Sequence, residues 1–197
     1  MCLIALSVTK SKDWNNKDAY FYKVIANRDE YHERKTTEMH WWNNKDLLAG
    51  KDEQAGGTWL GINKDGRFAA ITNLKENTDK KYLSSRGSLV TKFLESTLSA
   101  KAYLEDLEKE KENFAGFNLI VGDKNGLFYL CNRLEGIFFL NEGTHALGNL
   151  TLNASTSKVE SIKGDLDLLI HNGFNESDAI NLMKKEFGNL HEKTKKE

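Results

Sequence analysis

Proline is absent from this 197-residue chain, and cysteine occurs only twice, at Cys2 and Cys131. Without proline, turn chemistry falls to glycine and asparagine, as in Asn63-Lys64-Asp65-Gly66 and Asp123-Lys124-Asn125-Gly126. Two cysteines build no disulfide framework, which points to a reducing compartment. Charge of one sign is also missing: 28 Lys+Arg against 29 Asp+Glu leave a formal net charge of -1. Such a balance steers the chain toward neither nucleic acid nor an anionic surface, so no nucleic-acid partner is expected. No apolar run approaches the roughly 20 residues that cross a bilayer, so no stable membrane insertion is expected. The first eight residues are too short for a secretory signal and lack its basic flank. A lipoprotein cysteine needs an apolar segment ahead of it, and only Met1 precedes Cys2. These absences predict a soluble, cytoplasmic protein.

Other absences narrow the chemistry. There is no glycine-rich phosphate loop of the dinucleotide or P-loop kind. The five histidines (His32, His40, His145, His171 and His191) show no metal-ligand spacing alongside the cysteines. Neither a metal nor a cofactor is expected.

What is present suffices for one globular domain spanning 1–197, with 39% hydrophobic and 29% charged residues. Residues 3–8, 21–27, 57–63 and 66–73 read as strands, the last two joined as a hairpin through Asn63-Lys64-Asp65-Gly66. From 88 to 112 the period changes. Leu89, Phe93, Leu94, Leu98, Leu104 and Leu107 recur at helical spacing, as one amphipathic helix or a broken pair. A second β block follows, with 117–121, 127–131, 136–140 and 144–147 predicted as a four-stranded meander. Helices are predicted over 158–172 and 176–188, with Asn175 or Ser177 available to cap the second. The charged tail 191–197 is expected to fray. Hairpins instead of βαβ crossovers predict an α+β fold of antiparallel sheets with helices segregated onto their faces.

Several residues offer chemistry. Once Met1 is trimmed, Cys2 carries a thiol and a free α-amine on one carbon, a nucleophile with its own base. The competing reading makes Cys2 a small buried hydrophobe at the start of a core strand. Ala26-Asn27-Arg28-Asp29-Glu30 ends an apolar strand on polar residues; in a straight strand Asn27 and Asp29 share one face, Arg28 and Glu30 the other. That is either a solvated strand end or the lining of a pocket. Asn73 and Asn149 each close a predicted strand, where a carboxamide serves as an oxyanion donor or simply as a turn residue. Trp41-Trp42 reads as buried core ahead of a ligand platform.

An ordered set of segments carries a family resemblance: Met1-Cys2, Ala26 to Glu30, Gly56-Gly57-Thr58-Trp59-Leu60-Gly61, Gly66-Arg67-Phe68-Ala69 with Thr72-Asn73, Ser85-Arg86-Gly87, and Gly116 to Asp123. A fainter match runs from Leu147-Gly148-Asn149 to Ser157-Lys158-Val159. Over roughly residues 1–163 the set resembles the NRDE-motif family, also called the transport and Golgi organisation protein 2 family. That family is similar to N-terminal-nucleophile hydrolases, whose fold is a four-layer αββα sandwich. Within that superfamily it looks nearest the conjugated-bile-acid and penicillin V amidases.

The resemblance implies Cys2 as nucleophile with its α-amine as general base, Arg28 stabilising the thiolate, and Asp29 orienting the amine. It implies Asn73 and Asn149 as oxyanion donors. Turning both Arg28 and Asp29 inward requires a bulge; otherwise Asn27 and Asp29 take those roles. Two departures stand out. The Tyr-Gly-Thr-Arg segment that usually follows the helices is not found, which suggests a shortened form. The usual proline-bearing stretch is replaced by Asn153-Ala154-Ser155-Thr156-Ser157.

Two functions follow from the resemblance. One is hydrolysis of a linear amide carbon–nitrogen bond. The other is non-catalytic carriage of a hydrophobic ligand, haem or lipid, in the same pocket. An interaction domain without activity is the third reading. The oligomeric state is not readable.

Overall fold

The structure is a computed structural model. It describes residues 2–9, 22–31, 33–43, 45–77, 80, 82 and 84–193, with side chains described to residue 184. The first elements in chain order are β1 (Leu3–Val8), β2 (Tyr22–Asn27), β3 (Thr36–Trp41), β4 (Leu47–Asp52), β5 (Leu60–Asn63) and β6 (Phe68–Asn73). Then come α1 (Gly87–Glu95), α2 (Ala100–Glu108), β7 (Phe117–Asp123), β8 (Gly126–Cys131), β9 (Phe138–Phe139), β10 (Gly143–Leu147), α3 (Ser157–His171) and α4 (Glu176–Lys193).

The chain divides into two compact units, Met1–Asp29 with Asn141–Glu197, and Glu30–Leu140. The first holds an antiparallel sheet in the order β10-β1-β2. Its middle strand, Leu-Ile-Ala-Leu-Ser-Val, is buried along its whole length. That explains why it reads as a continuous apolar run instead of an alternating one. One face of this sheet (Leu3, Ala5, Ile25, Ala146) packs on Val159, Ile162 and Leu166 of α3 and on Ala179 and Met183 of α4. The Thr156 hydroxyl caps α3 by accepting from Val159 N–H at 3.3 Å. Asn175 caps α4 in the same way, accepting from Asp178 N–H at 2.9 Å.

The second unit holds a seven-stranded antiparallel sheet in sequential order from β3 to β9. Residues 88–112 form the broken pair. Ser96 is extended after α1, and Ser99, also extended, caps α2 by accepting from Ala102 N–H. Leu89, Val90, Phe93 and Leu94 of α1 and Tyr103, Leu104 and Leu107 of α2 bury the helical stripe against the sheet. Phe93 and Tyr103 meet edge-on at 5.2 Å, and the Tyr103 hydroxyl donates to Leu89 O at 2.7 Å. Burial pushes that hydroxyl well above its ordinary titration range.

The fold class is therefore α+β, with antiparallel sheets and helices segregated onto them. Both sheets and both helix pairs of the expected αββα arrangement are present.

Two strands went unread and two expectations need correction. The strands β3 and β4 were not legible; β3 is exposed along its entire length, so it carries no apolar face for a pattern to show. The four-stranded meander stops at the two-residue β9, and β10 leaves to pair with β1 in the other sheet. Trp41 is not core: it is 48% exposed, while Trp42 packs on the core and donates to Ala49 O at 3.1 Å. Residue 21 of the second expected strand, His32 and residues 194–197 of the tail lie outside the described residues.

Candidate functional site

The register of the three-stranded sheet assembles the candidate site in the first unit. Leu3 pairs with Asn27 on one side of β1, and Ile4 pairs with Leu147 on the other. The ladder ends at these pairs: Cys2 directly precedes β1, Arg28 and Asp29 follow β2, and Asn149 lies two residues past β10. Cys2, Arg28, Asp29 and Asn149 therefore each lie within two residues of the strand termini at one end of the three-stranded sheet.

The pleat decides the face. Leu3, Ala5 and Ile25 face the helices, so their neighbours Ile4, Ala26 and Leu147 face away. Asn27 lies on the helix side, where its Nδ2 donates to Met183 O of α4 at 3.0 Å. This tie holds Asn27 on the helix face of the sheet. Cys2, a free thiol, is half-buried, as are Arg28 and Asn149, while Asp29 is exposed. Cys131, the other thiol, is fully buried in β8.

Asn73 closes β6 in the second unit and is exposed. Glu30 also begins that unit, its carboxylate 4.0 Å from Arg34, which is paired to Asp52 at 2.6 Å. The Asn27-Arg28-Asp29-Glu30 motif is therefore divided between a helix tie, the Cys2 end of the sheet, and the second unit.

Other motif residues hold backbone together. Gly57 and Gly87 pack so closely that a Cβ on Gly57 would sit 2.8 Å from the Gly87 carbonyl carbon. Arg86 donates to Gly116 O at 2.8 Å, and Glu76 accepts from Gly116 N–H at 2.6 Å and from Arg133 Nε at 2.5 Å. Arg67 is buried, with its guanidinium 4.1 Å over the Phe93 ring and bonds to Phe93 O and Ser96 Oγ at 3.0 and 3.1 Å. Glu76, Arg133 and Asn132 were not singled out from the sequence, because their partners (the Glu76–Arg133 ion pair, and backbone groups such as Gly116 N–H for Glu76 and Phe117 N–H for Asn132) lie far along the chain.

Two clefts open on the second unit. One of about 490 Å³ is lined by Trp41, Trp42, Asn43, Lys45, Asp46 and Lys64. Its lysines are engaged, Lys64 with Asp46 and Lys45 with Glu95, each at 2.5 Å, and each lies over a tryptophan ring. The other, about 630 Å³, is lined by Glu30, Tyr31, Glu33, Arg34, Lys35, Glu53 and Gln54. Among the described residues no three His, Cys, Asp or Glu side chains cluster as metal ligands, and no helix is long and apolar enough to cross a membrane.

The family profile described as Transport and Golgi organisation 2 matches residues 1–197. The chain belongs to that family. The Transport and Golgi organization 2 homolog of Mus musculus is 34% identical over 154 residues, covering 73% of this chain and 56% of the mouse protein. The human homolog is 35% identical over the same length and shares. The chain thus spans little more than half the length of these family relatives. Among solved structures, the Caenorhabditis elegans ortholog of N-acylethanolamine-hydrolyzing acid amidase is similar with a TM-score of 0.62. That match is 11% identical and covers 92% of this chain and 85% of the nematode protein. At that identity the likeness is one of fold, and it agrees with the N-terminal-nucleophile-hydrolase architecture that the family motifs implied.

Proposed function

We propose that this family member is an N-terminal-cysteine hydrolase that cleaves a linear amide carbon–nitrogen bond. What supports the reading is the β10-β1-β2 register, which leaves Cys2, Arg28, Asp29 and Asn149 within two residues of the strand termini at one end of the sheet. In the proposed site Cys2 stands between Arg28 and Asn149, with Asp29 beside the amine. After Met1 removal the α-amine takes the thiol proton, and the sulfur attacks the amide carbonyl carbon. The developing oxyanion is met by the Asn149 carboxamide N–H. The carbon–nitrogen bond breaks, the leaving amine takes the proton, and a thioester remains on Cys2. Water, deprotonated by the same α-amine, hydrolyses the thioester and restores the thiol. Arg28 supplies positive charge to the thiolate, and Asp29 orients the amine. The family resemblance adds Asn73 as a second amide donor. The proposal extends to a reducing cytoplasmic setting, where both thiols stay free, and to the whole of 1–197 acting as one domain.

Intact-mass measurement and electrophile labelling test this. The expected result is a chain lacking Met1 whose Cys2 is labelled by iodoacetamide near neutral pH, with labelling lost in Cys2→Ala. Retention of Met1, or labelling of Cys131 in place of Cys2, overturns it. Saturable binding of haem or lipid that survives Cys2→Ser, without any acylation of Cys2, replaces hydrolysis by carriage.

A further inference from the structure

Asn149 sits in a loop that one residue closes. The Asn153 N–H donates to Ala146 O at 2.8 Å, and Asn153 Oδ1 accepts from Ala146 N–H at 3.0 Å. Both polar groups of a β10 residue are therefore taken by a single residue, as a neighbouring strand would take them. The remaining Asn153 donor, Nδ2, faces His145 Nδ1 at 3.1 Å, while His145 Nε2 lies 2.9 Å from Asn141 O. A carbonyl oxygen only accepts, so Nε2 carries the ring proton and Nδ1 is left to accept from Asn153. Every polar group of the Asn153 carboxamide thus has a directional role.

The backbone pins the residue type further. Asn153 has φ 57°, the one positive φ of a non-glycine among the described residues. Asparagine visits that region readily, whereas alanine and larger side chains are strained there. Residues 147–152 lie between the clamped ends, with Asn149 two positions past the end of β10. Beyond the clamp, Ala154 N–H donates to Thr151 O at 3.1 Å, and the Thr156 cap starts α3. Here a side-chain clamp does the work of restricting the chain.

We propose that Asn153 is a positioning residue: by clamping Ala146 and engaging His145 it fixes the loop that presents the Asn149 carboxamide. This rests on the reading of Asn149 as an oxyanion donor. An oxyanion donor is effective only when held in place before the reaction, and an unclamped loop of six residues spreads its backbone over many conformations.

Two reactions of Cys2 separate this role from general stability. Alkylation by iodoacetamide forms a sulfur–carbon bond and expels iodide, with no oxyanion. Acylation by a p-nitrophenyl ester adds sulfur to the carbonyl carbon, passes through an oxyanion, and expels p-nitrophenolate to leave the thioester. In the full-length processed protein, Asn153→Gly relieves the positive φ yet removes the carboxamide. We expect it to slow acylation by at least about tenfold while alkylation stays unchanged. Asn153→Asp keeps the acceptor for Ala146 N–H and is expected to recover most of the acylation rate. Amide hydrogen exchange gives a readout independent of chemistry: Asn153→Gly should speed exchange across residues 146–153.

Unchanged exchange together with unchanged acylation in Asn153→Gly overturns the proposal, as does equal slowing of acylation and alkylation. A wild type whose Cys2 is alkylated but never acylated overturns the hydrolase reading instead, and faster exchange in Asn153→Gly then still supports the clamp.

Discussion

Asn27 donates its side-chain amide to the Met183 carbonyl at 3.0 Å, tying the end of β2 to α4 across 156 residues of sequence. That bond places Asn27 on the helix side of the sheet, whereas the proposed site takes Arg28 on the opposite side with Cys2. The two adjacent motif residues therefore do different work. Asn27→Ala is expected to cost about 1 kcal/mol in urea denaturation, the net value of one such bond. Iodoacetamide labelling of Cys2 in that variant should keep its wild-type rate. Arg28→Ala should do the reverse, slowing the thiol with little change in the urea midpoint. Identical behaviour of the two variants in both assays would sink this division.

The Gly57–Gly87 contact links two segments that carry the family resemblance. A Cβ on Gly57 would meet the Gly87 carbonyl carbon and oxygen at 2.8 and 3.0 Å, backbone atoms that cannot swing aside. Gly57→Ala should therefore lose about 2–3 kcal/mol by overpacking. Gly164→Ala, exposed inside α3 with nothing within 4 Å of the new Cβ, should gain about 0.5–1 kcal/mol from helix propensity. Thermal denaturation of the two variants should move in opposite directions; a shared sign contradicts the packing argument.

Glu76 gives the fold an acid-sensitive tie. Burial raises its carboxyl titration, but the Gly116 N–H, the bond and charge of Arg133 and the charge of Arg86 outweigh burial and hold it below its ordinary value. The folded state therefore binds this proton less readily than the unfolded chain. The stabilisation is fully present above the unfolded carboxylate range and is lost as pH falls through the folded value. Below roughly pH 5 the wild type should lose stability more steeply than Glu76→Gln, and the variant should already be weaker at neutral pH. Parallel stability–pH curves for the two proteins would contradict this.

Arg67 belongs to the Gly66-Arg67-Phe68-Ala69 segment that carries the family resemblance, yet its partners are the end of α1 and the Phe93 ring. Arg67→Lys loses the planar fork and leaves an ammonium among the same buried groups, for an expected cost of about 2 kcal/mol. Acylation and alkylation of Cys2 should be unaffected at temperatures where the variant is folded. Loss of acylation without loss of stability would instead assign Arg67 to the chemistry.

Local pattern made a large part of this fold legible. The apolar runs of β1 and β7, the Asn63–Gly66 turn, the helical stripe of α1 and α2 and the Asn175 cap are each written within a few residues. The strand β3 escaped because a wholly exposed edge strand has no buried face to impose a period of two. Its neighbour β4, Leu-Leu-Ala-Gly-Lys-Asp, has little of the β-branched content that marks strands.

The candidate site divides in the same way. That Cys2, Arg28, Asp29 and Asn149 stand at strand ends follows from short apolar runs stopping on polar residues, a property of neighbouring side chains alone. Their convergence was decided elsewhere. It needed β10 to leave β9 for β1, Asn27 to find a carbonyl on α4, and Asn153 to take both polar groups of Ala146. Register between distant strands is chosen by burying apolar faces and satisfying backbone hydrogen bonds together, and no local window of the chain contains both partners.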